Sequence, residues 1–501
     1  MAYNFKMVDR ETDYLLPPSL RDWLPEEHLA WFIIEAIEAM DISGFYRGYN
    51  VDGCGQSAYD PKAMVGLFLY SYCIGERSSR VIENCCRVDV AFRVLMGNMQ
   101  PDHATICRFR AEHEEALRRL FIEVLRLCRE GGLVKAGAIA LDGSKIKASA
   151  ALSANRDYAH LKEVVDRIFE EAKAKDAEED RLYGKGRSGN ETPEEWGTRE
   201  GRQQWLREAK ARLEAKAAAE AAAQAGKIAR RQAEEEATGK KKRGRKPGKP
   251  VEGPSDDARA NMTDPQSRIM KTRSGYVQGY NAQAAVTENQ IIVAAEVTQE
   301  CNDVKQLAPM LDTIAGNLAA VGALGYMETL LADAGYWSDA NMAATGSADP
   351  ELLIATNKDW KQRKALREAP PPRGRIPAGM TPRDRMERKL LTKCGRGLYK
   401  LRGQTIEPTF GQIKTGRGCD RFMRRGAKAA GSEWSLICAT HNLLKLWRSG
   451  KAKFRTTVDT AAGLLRDSGR EIGRRGRQIR RPAEIWRRFT HKPLPQVVFG
   501  E

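Results

Sequence analysis

Paired metal-binding cysteines are missing from this chain. Its ten cysteines form no Cys-x-x-Cys and its six histidines are scattered, so no zinc spacing emerges. Cys85 and Cys86 are neighbours and are not expected to bridge; the cysteines read as reduced thiols in the core or on the surface. An apolar run of membrane length is missing too. The longest, Ala63 to Ile74, fits a buried helix and is too short to span a bilayer. Met1 to Arg10 is mixed and polar, without the charged-then-apolar order of a secretory signal. The expectation is a cytoplasmic protein with no membrane partner. No Gly-x-x-x-x-Gly-Lys loop occurs, which argues against an NTP-driven motor.

What the chain has in excess is positive charge. Lys and Arg number 83 against 66 Asp and Glu, a net charge of +17. That balance favours a polyanionic partner, although charge alone would equally suit a ribosome-associated protein. With 501 residues, two or three domains and a substantial core are expected.

Residues 1 to about 130 read as helical. Leu29, Phe32, Ile33, Ala36 and Ile37 recur at helical spacing within Glu26 to Met40. A second helix starts at Pro61, a favoured first-turn residue, and runs to about Cys73. Shorter helices are expected at Ser79 to Cys86 and Asp89 to Leu95. The turn Gly97 to Asp102 leads into His103-Ala-Thr-Ile-Cys-Arg108-Phe-Arg110. Two short helices, a turn and a helix carrying exposed Arg108 and Arg110 fit a helix-turn-helix. A generic helical bundle with a basic face fits equally well.

A strand ends at Asp142, and the pattern then breaks from about Asn155 to Pro250. This stretch is rich in Ala, Glu, Lys and Arg and fits two charged helices folded as a hairpin. It closes on Lys240-Lys-Lys-Arg243-Gly-Arg245-Lys-Pro247, a basic tract. Strand patterning resumes at Tyr276 to Val286 and Gln290 to Val297, followed by a helix capped at Asn302 or Asp303. Strands then come at Thr329 to Ala332, running into Asp333, and at Leu352 to Ala355. Three antiparallel strands followed by parallel additions is the ribonuclease-H-like order of an α/β fold, here with a large insertion after the first strand. In that order Asp142 and Asp333 become neighbours.

A lone aspartate at a strand end is commonly a turn or cap residue. The joint context of three acids is what points to chemistry. Asp142 closes Ala-Ile-Ala-Leu, and Asp333 opens Asp333-Ala-Gly-Tyr336-Trp337. Glu407 lies in Tyr399-Lys-Leu-Arg402-Gly-Gln-Thr-Ile-Glu407-Pro-Thr-Phe-Gly-Gln-Ile-Lys414, read as a helix from near Thr405 with Pro408 in its first turn. Ile406, Phe410 and Ile413 form its buried stripe, with Glu407, Gly411 and Lys414 beside it. Three such acids can hold a pair of Mg²⁺ ions and cut a phosphodiester.

The set resembles the DDE transposases of bacterial insertion sequences, and within them the eleven-eighty-two family near the branches numbered four and five. Leu15-Leu-Pro-Pro-Ser-Leu-Arg-Asp-Trp, Tyr59-Asp-Pro-Lys, Pro101-Asp-His-Ala-Thr-Ile-Cys-Arg, Thr263-Asp264-Pro and Gln278-Gly-Tyr-Asn-Ala-Gln carry the resemblance along the chain. The Tyr-to-Arg and Glu-to-Lys spacings match the family's signature, whereas four residues rather than three separate Arg402 from Glu407. The resemblance implies Asp142, Asp333 and Glu407 as catalytic metal ligands, Asp142 bridging two Mg²⁺ ions, with Mn²⁺ able to substitute. It implies that Lys414 and Arg402 reach phosphates near the cut. Trp337 either stacks on an unpaired base or packs beside the strand end.

Arg243-Gly-Arg245 resembles a minor-groove AT-hook, with sequence-independent phosphate binding the alternative. The tail from Lys451 is basic and reads as a DNA clamp or a solvated helix. The expected division is 1–134 for a helical DNA-binding domain, 135–150 with 260–450 for the catalytic core, 151–259 for the insertion and 451–501 for the extension. The activity implied is binding of terminal inverted repeats, end cleavage and transfer of 3′-hydroxyls to target DNA. Such a protein would be nucleoid-associated and form a homo-oligomer on paired ends. A decayed DNA-binding regulator and a stand-alone nuclease of the same fold are the competing readings.

Overall fold

The structure is a computed structural model. It describes residues 19–452 except 48, 50–56, 136, 159–198, 240, 242–247, 252, 255–257, 324, 326, 345–349 and 378. Two units divide the chain, 1–452 and 453–501; the second, with the basic tail, lies outside the described residues.

The first helices follow their local signals. α1 (Leu29–Glu38) buries Ile33, Ala36 and Ile37. α2 (Pro61–Ile74) starts at Pro61 because Asp60 caps it, accepting from the Lys62 amide, and Gly75 closes it at φ 92°. α3 (Ser79–Val88), α4 (Val90–Leu95), α5 (His103–Glu112) and α6 (Glu114–Glu130) follow. Asp102 caps α5 through the Thr105 amide. The helices expected around the turn at 97–102 are therefore present.

The sheet is built from β1 (Gly137–Lys147), then β4 (Arg268–Thr272), β5 (Gly275–Thr287), β6 (Ile292–Thr298), β7 (Met327–Ala332) and β8 (Glu351–Ile354). Its order is β4-β5-β1-β7-β8, with β6 also pairing β5. β1 runs antiparallel to β5 and parallel to β7, while β8 extends the parallel side. Two short strands, β2 (Asn155–Asp157) and β3 (Arg259–Asn261), pair at the root of the insertion. Beyond that root, α7 (Arg199–Thr238) is a single helix of 40 residues. The first arm of the expected hairpin and most of the basic tract, with Arg243 and Arg245, lie outside the described residues.

α8 (Leu307–Ala320), α9 (Asp339–Ala344), α10 (Asp359–Glu368), α11 (Pro382–Leu391), α12 (Lys393–Gly411) and α13 (Ala427–Ser449) complete the order. α13 is buried almost all round, from Ala430 to Leu444, which marks a core helix. It packs between β6 on one side and α6 and α2 on the other. Asn442 reaches into the sheet and satisfies both backbone groups of Ile292, at 2.8 and 2.7 Å. Arg77 and Glu433 form a buried pair at 3.1 Å, tying the turn after α2 to α13. Unpaired, either charge would be costly there.

Three expectations need correction. β1 does not end at Asp142 but continues to Lys147, because Gly143 to Lys147 pair with β5 from Gln283 to Gly279. The helix around Glu407 begins at Lys393, where Thr392 accepts from the Gly395 amide, so Pro408 lies inside it. A buried face of Tyr399, Arg402 and Ile406 holds that helix on the sheet against its glycines and proline. Asp303 stands at the N-terminus of the short 3₁₀ turn Val304–Gln306 that leads into α8, but its side chain makes no capping bond and accepts from Asn281 and Gln283 instead.

Candidate functional site

The parallel register pairs Leu141 with Ala332, so Asp142 and Asp333 emerge side by side. β7 stops there while β1 continues, which leaves the edge of β1 without a partner strand from Asp142 until Lys147 bridges Arg421. Arg402 fills the space. Its Nη2 lies 2.8 Å from Asp142 Oδ2 and 3.9 Å from Asp333 Oδ2. Arg402 is thus buried against the two carboxylates and not at the surface where a phosphate contact was expected. The guanidinium sits where the pair of aspartates most needs a cation.

Burial pushes the Asp142 carboxyl up to about 7, Arg402 opposes the shift, and Asp333 and Asp303 add to it. A carboxyl held this way binds a cation in competition with a proton.

The turn after Asp333 explains why the motif reads Asp-Ala-Gly-Tyr. Asp333 Oδ1 accepts from the Gly335 amide at 2.8 Å, and a Cβ on Gly335 would fall 2.9 Å from that same oxygen. Tyr336 is fully buried and donates its hydroxyl to Gln283 Oε1 on β5. Trp337, next in line, is half-buried.

Gln283 also donates to Asp303 Oδ1 at 2.7 Å, as does Asn281 at 2.6 Å. It lies so close to β1 that a Cβ on Gly143 would come within 2.3 Å of its Nε2. One glutamine therefore links the turn bearing Asp333 to the strand bearing Asp142. Sequence reasoning missed Gln283, Asn281 and Asp303 as site residues. Polar side chains at alternate positions of an otherwise apolar strand, Asn281 and Gln283, were the available signal.

Glu407 is not gathered with the aspartates. It is about half exposed and pairs with Arg363 of α10 at 2.9 Å. Among the described residues no group of three or more His, Cys, Asp or Glu stands ready to hold a metal. The oxygen donors of Asp142 and Asp333 suit a hard divalent cation, with Arg402 in the competing position.

Lys414 lies further along β1. α12 gives way to a π-helical turn, Gln412–Gly416, a feature that often marks functional sites. From it Lys414 Nζ donates to Ser144 Oγ at 2.7 Å and to the Lys145 carbonyl at 2.8 Å. Burial lowers its pKa, Asp420 opposes this, and Lys147 and Lys145 reinforce it.

Two comparisons bear on what these residues do. Residues 18–112 match the family model described as Transposase domain (DUF772), and residues 377–447 match the one described as Transposase DDE domain. Both matches support a DDE transposase. The second spans Arg402, Glu407 and Lys414. The first covers the helices up to Glu112, including Arg108 and Arg110. Domains of the DDE kind generally use divalent metals, and transposases act on DNA. No curated protein and no solved structure matches the chain. Among the described residues no helix is long and apolar enough to cross a membrane.

The two arginines on α5 have different surroundings. Arg108 is exposed. Arg110 turns inward and donates to Tyr72 Oη at 3.2 Å, the Arg77 carbonyl at 3.1 Å and Ser79 Oγ at 3.2 Å. Its expected exposure is corrected by this: it shares the buried face of Ile106 and Phe109. Arg110→Ala should therefore lower stability by roughly 1–3 kcal/mol, the cost of leaving buried polar partners unsatisfied. Arg108→Ala should leave the melting temperature unchanged. Thermal melts of both variants decide this, and equal melting points would refute the assignment.

Proposed function

We propose that this chain is a metal-dependent transposase of the eleven-eighty-two kind, working on a ribonuclease-H-like core. It binds the terminal inverted repeats of its element, cleaves at the ends and joins the freed 3′-hydroxyls to target DNA. The observation that carries the reading is the adjacent pair Asp142 and Asp333 on parallel strands, spanned by the Arg402 cation. The β6-β5-β1-β7-β8 path, two antiparallel pairings followed by two parallel ones, supports the fold assignment.

Asp142 and Asp333 would hold Mg²⁺, or Mn²⁺ in its place, with Glu407 joining them once freed from Arg363. The ions supply Lewis-acid activation of the attacking oxygen and stabilisation of the leaving one. The chain's own residues do the rest. Arg402 balances the two carboxylates in the free protein, and the Tyr336–Gln283 bond fixes the turn carrying Asp333. Lys414 lies against β1 two residues past Asp142, in position to meet a phosphate near the cut. Arg108 on α5 reads the element end, and Trp337 borders the same turn. Assembly on paired ends as a homo-oligomer belongs to the same proposal.

The basic tract offers a separate test. Lys240, Lys241, Lys242, Arg243 and Arg245 supply cationic side chains with no acid among them. Each phosphate contact releases counterions, so log affinity falls with log salt by about 0.9 per contact. Converting the five to glutamine should weaken binding to any DNA and flatten the salt slope, leaving end preference nearly constant. Loss confined to A·T-rich DNA would favour minor-groove insertion instead, and an unchanged slope would remove the tract from the interface.

The reading as a whole is tested by incubating the protein with a labelled element end and Mg²⁺. Cleavage at the element boundary is expected. Binding without any cleavage would favour a regulator.

A further inference from the structure

A small concavity lies away from the aspartates, on the side where α13 meets the β5–β6 turn. It measures about 110 Å³ and is lined by Gln412, Arg417, His441, Lys445 and Arg448, with Leu444. Three of these residues bond to Gln290, which holds φ at 61°, a left-handed conformation that a non-glycine residue adopts at a cost. His441 Nε2 bonds its carbonyl at 3.0 Å, and Gln412 Nε2 and Lys445 Nζ meet its Oε1 at 3.0 and 2.6 Å.

The charges around it are of one sign. Lys445 and Arg448 form no ion pair with any described carboxylate. Arg417 is occupied with the Tyr72 carbonyl, Thr440 Oγ1 and the Ile437 carbonyl, at 3.2, 2.9 and 3.0 Å. It adds charge without needing an anion of its own. Burial pushes His441 down to about 3, and Arg417, Lys445 and Arg448 push the same way, so the imidazole is neutral. Cations held together without an acid, Arg417 and Lys445 half-buried and Arg448 exposed, repel one another, and such an arrangement is stabilised by an anion placed between them. The volume suits a tetrahedral oxyanion.

We propose that this concavity is a docking site for one backbone phosphate of DNA, with Lys445 and Arg448 as its charged contacts and Gln412 as a neutral donor beside them. The proposal rests on the transposase reading, and extends it: Gln412 belongs to the same π-helical turn as Lys414, so one short segment would touch the backbone at two separated points. A phosphate here steers and registers the duplex without reading its sequence.

The test uses the full chain and a duplex lacking any element end, titrated by fluorescence anisotropy over a range of salt. Arg448→Gln and Lys445→Met should each flatten the slope of log affinity against log salt by about 0.9. Lys445→Arg, which keeps the charge, should retain the parent slope. Arg448 is exposed, so Arg448→Gln does not depend on refolding a core position. Unchanged slopes in both variants would overturn the proposal. A parent protein with no salt-dependent DNA binding would instead sink the transposase reading. In a parallel arm, inorganic phosphate is added to the DNA-free protein during thermal melting. Stabilisation by millimolar phosphate that Lys445→Met abolishes, with DNA slopes unchanged, would assign the site to free phosphate and refute the DNA contact.

Discussion

Asp142→Asn and Asp333→Asn should each reduce end cleavage by about a thousandfold or more, while end binding stays within a few-fold. Charge stabilisation by metal ions contributes several kcal/mol to the transition state, and each 1.36 kcal/mol is a factor of ten in rate. Either substitution keeps the side-chain volume and removes the charge that holds the cation. Neither residue is placed to grip DNA at a distance, since both sit at the open edge of β1, beneath Arg402. Glu407→Gln should show the same loss if Glu407 leaves Arg363 to complete the set. Single-turnover cleavage in Mg²⁺ checks all three. Near-normal cutting by one variant would remove that residue from the catalytic group and leave the other two standing.

The second large effect is on stability, and it depends on pH. Burial raises the Asp142 carboxyl from its ordinary 3.8 to about 7. A carboxyl raised in the folded state holds its proton more tightly there than in the unfolded chain. The folded state therefore carries no penalty from it below about pH 4. The penalty grows as pH rises and is complete above about pH 7. At roughly 1.4 kcal/mol per unit, a few kcal/mol are involved. Asp142→Asn removes the titration, so in EDTA it should melt higher than the parent at pH 8.5 and close to it at pH 4.5. Mg²⁺ should stabilise the parent at pH 8.5 and not the variant. A difference in melting temperature that does not change with pH would contradict the placement of Asp142.

Much of the fold was legible because local signals and tertiary packing agree. Pro61 marked the start of α2, and apolar runs marked β7 and β8. The adjacency of Asp142 and Asp333 was legible too, as a consequence of strand order. The misjudged positions share a cause. Arg110 and Arg402 were read as charges and therefore as surface, yet each falls on a buried stripe: Ile106, Phe109 and Arg110 in one case, Tyr399, Arg402 and Ile406 in the other. Counting the stripe before the charge would have turned both inward. The extent of β1 was hidden by Ser144, Lys145 and Lys147, polar residues kept in the strand by pairing with β5. The early start of α12 was hidden by Gly395, Gly397 and Gly403, whose low propensity is overridden by packing on the sheet. No local rule announced that Glu407 would pair with Arg363, because that contact depends on where α10 returns after β8.

The most direct test follows a labelled element end in the presence of a target plasmid and Mg²⁺. Covalent joining of the end's 3′-hydroxyl to the plasmid is expected, lost with EDTA and lost in Asp142→Asn. Cleaved ends that are never joined would make the protein a nuclease, and ends bound but left uncut would mean that it is no transposase.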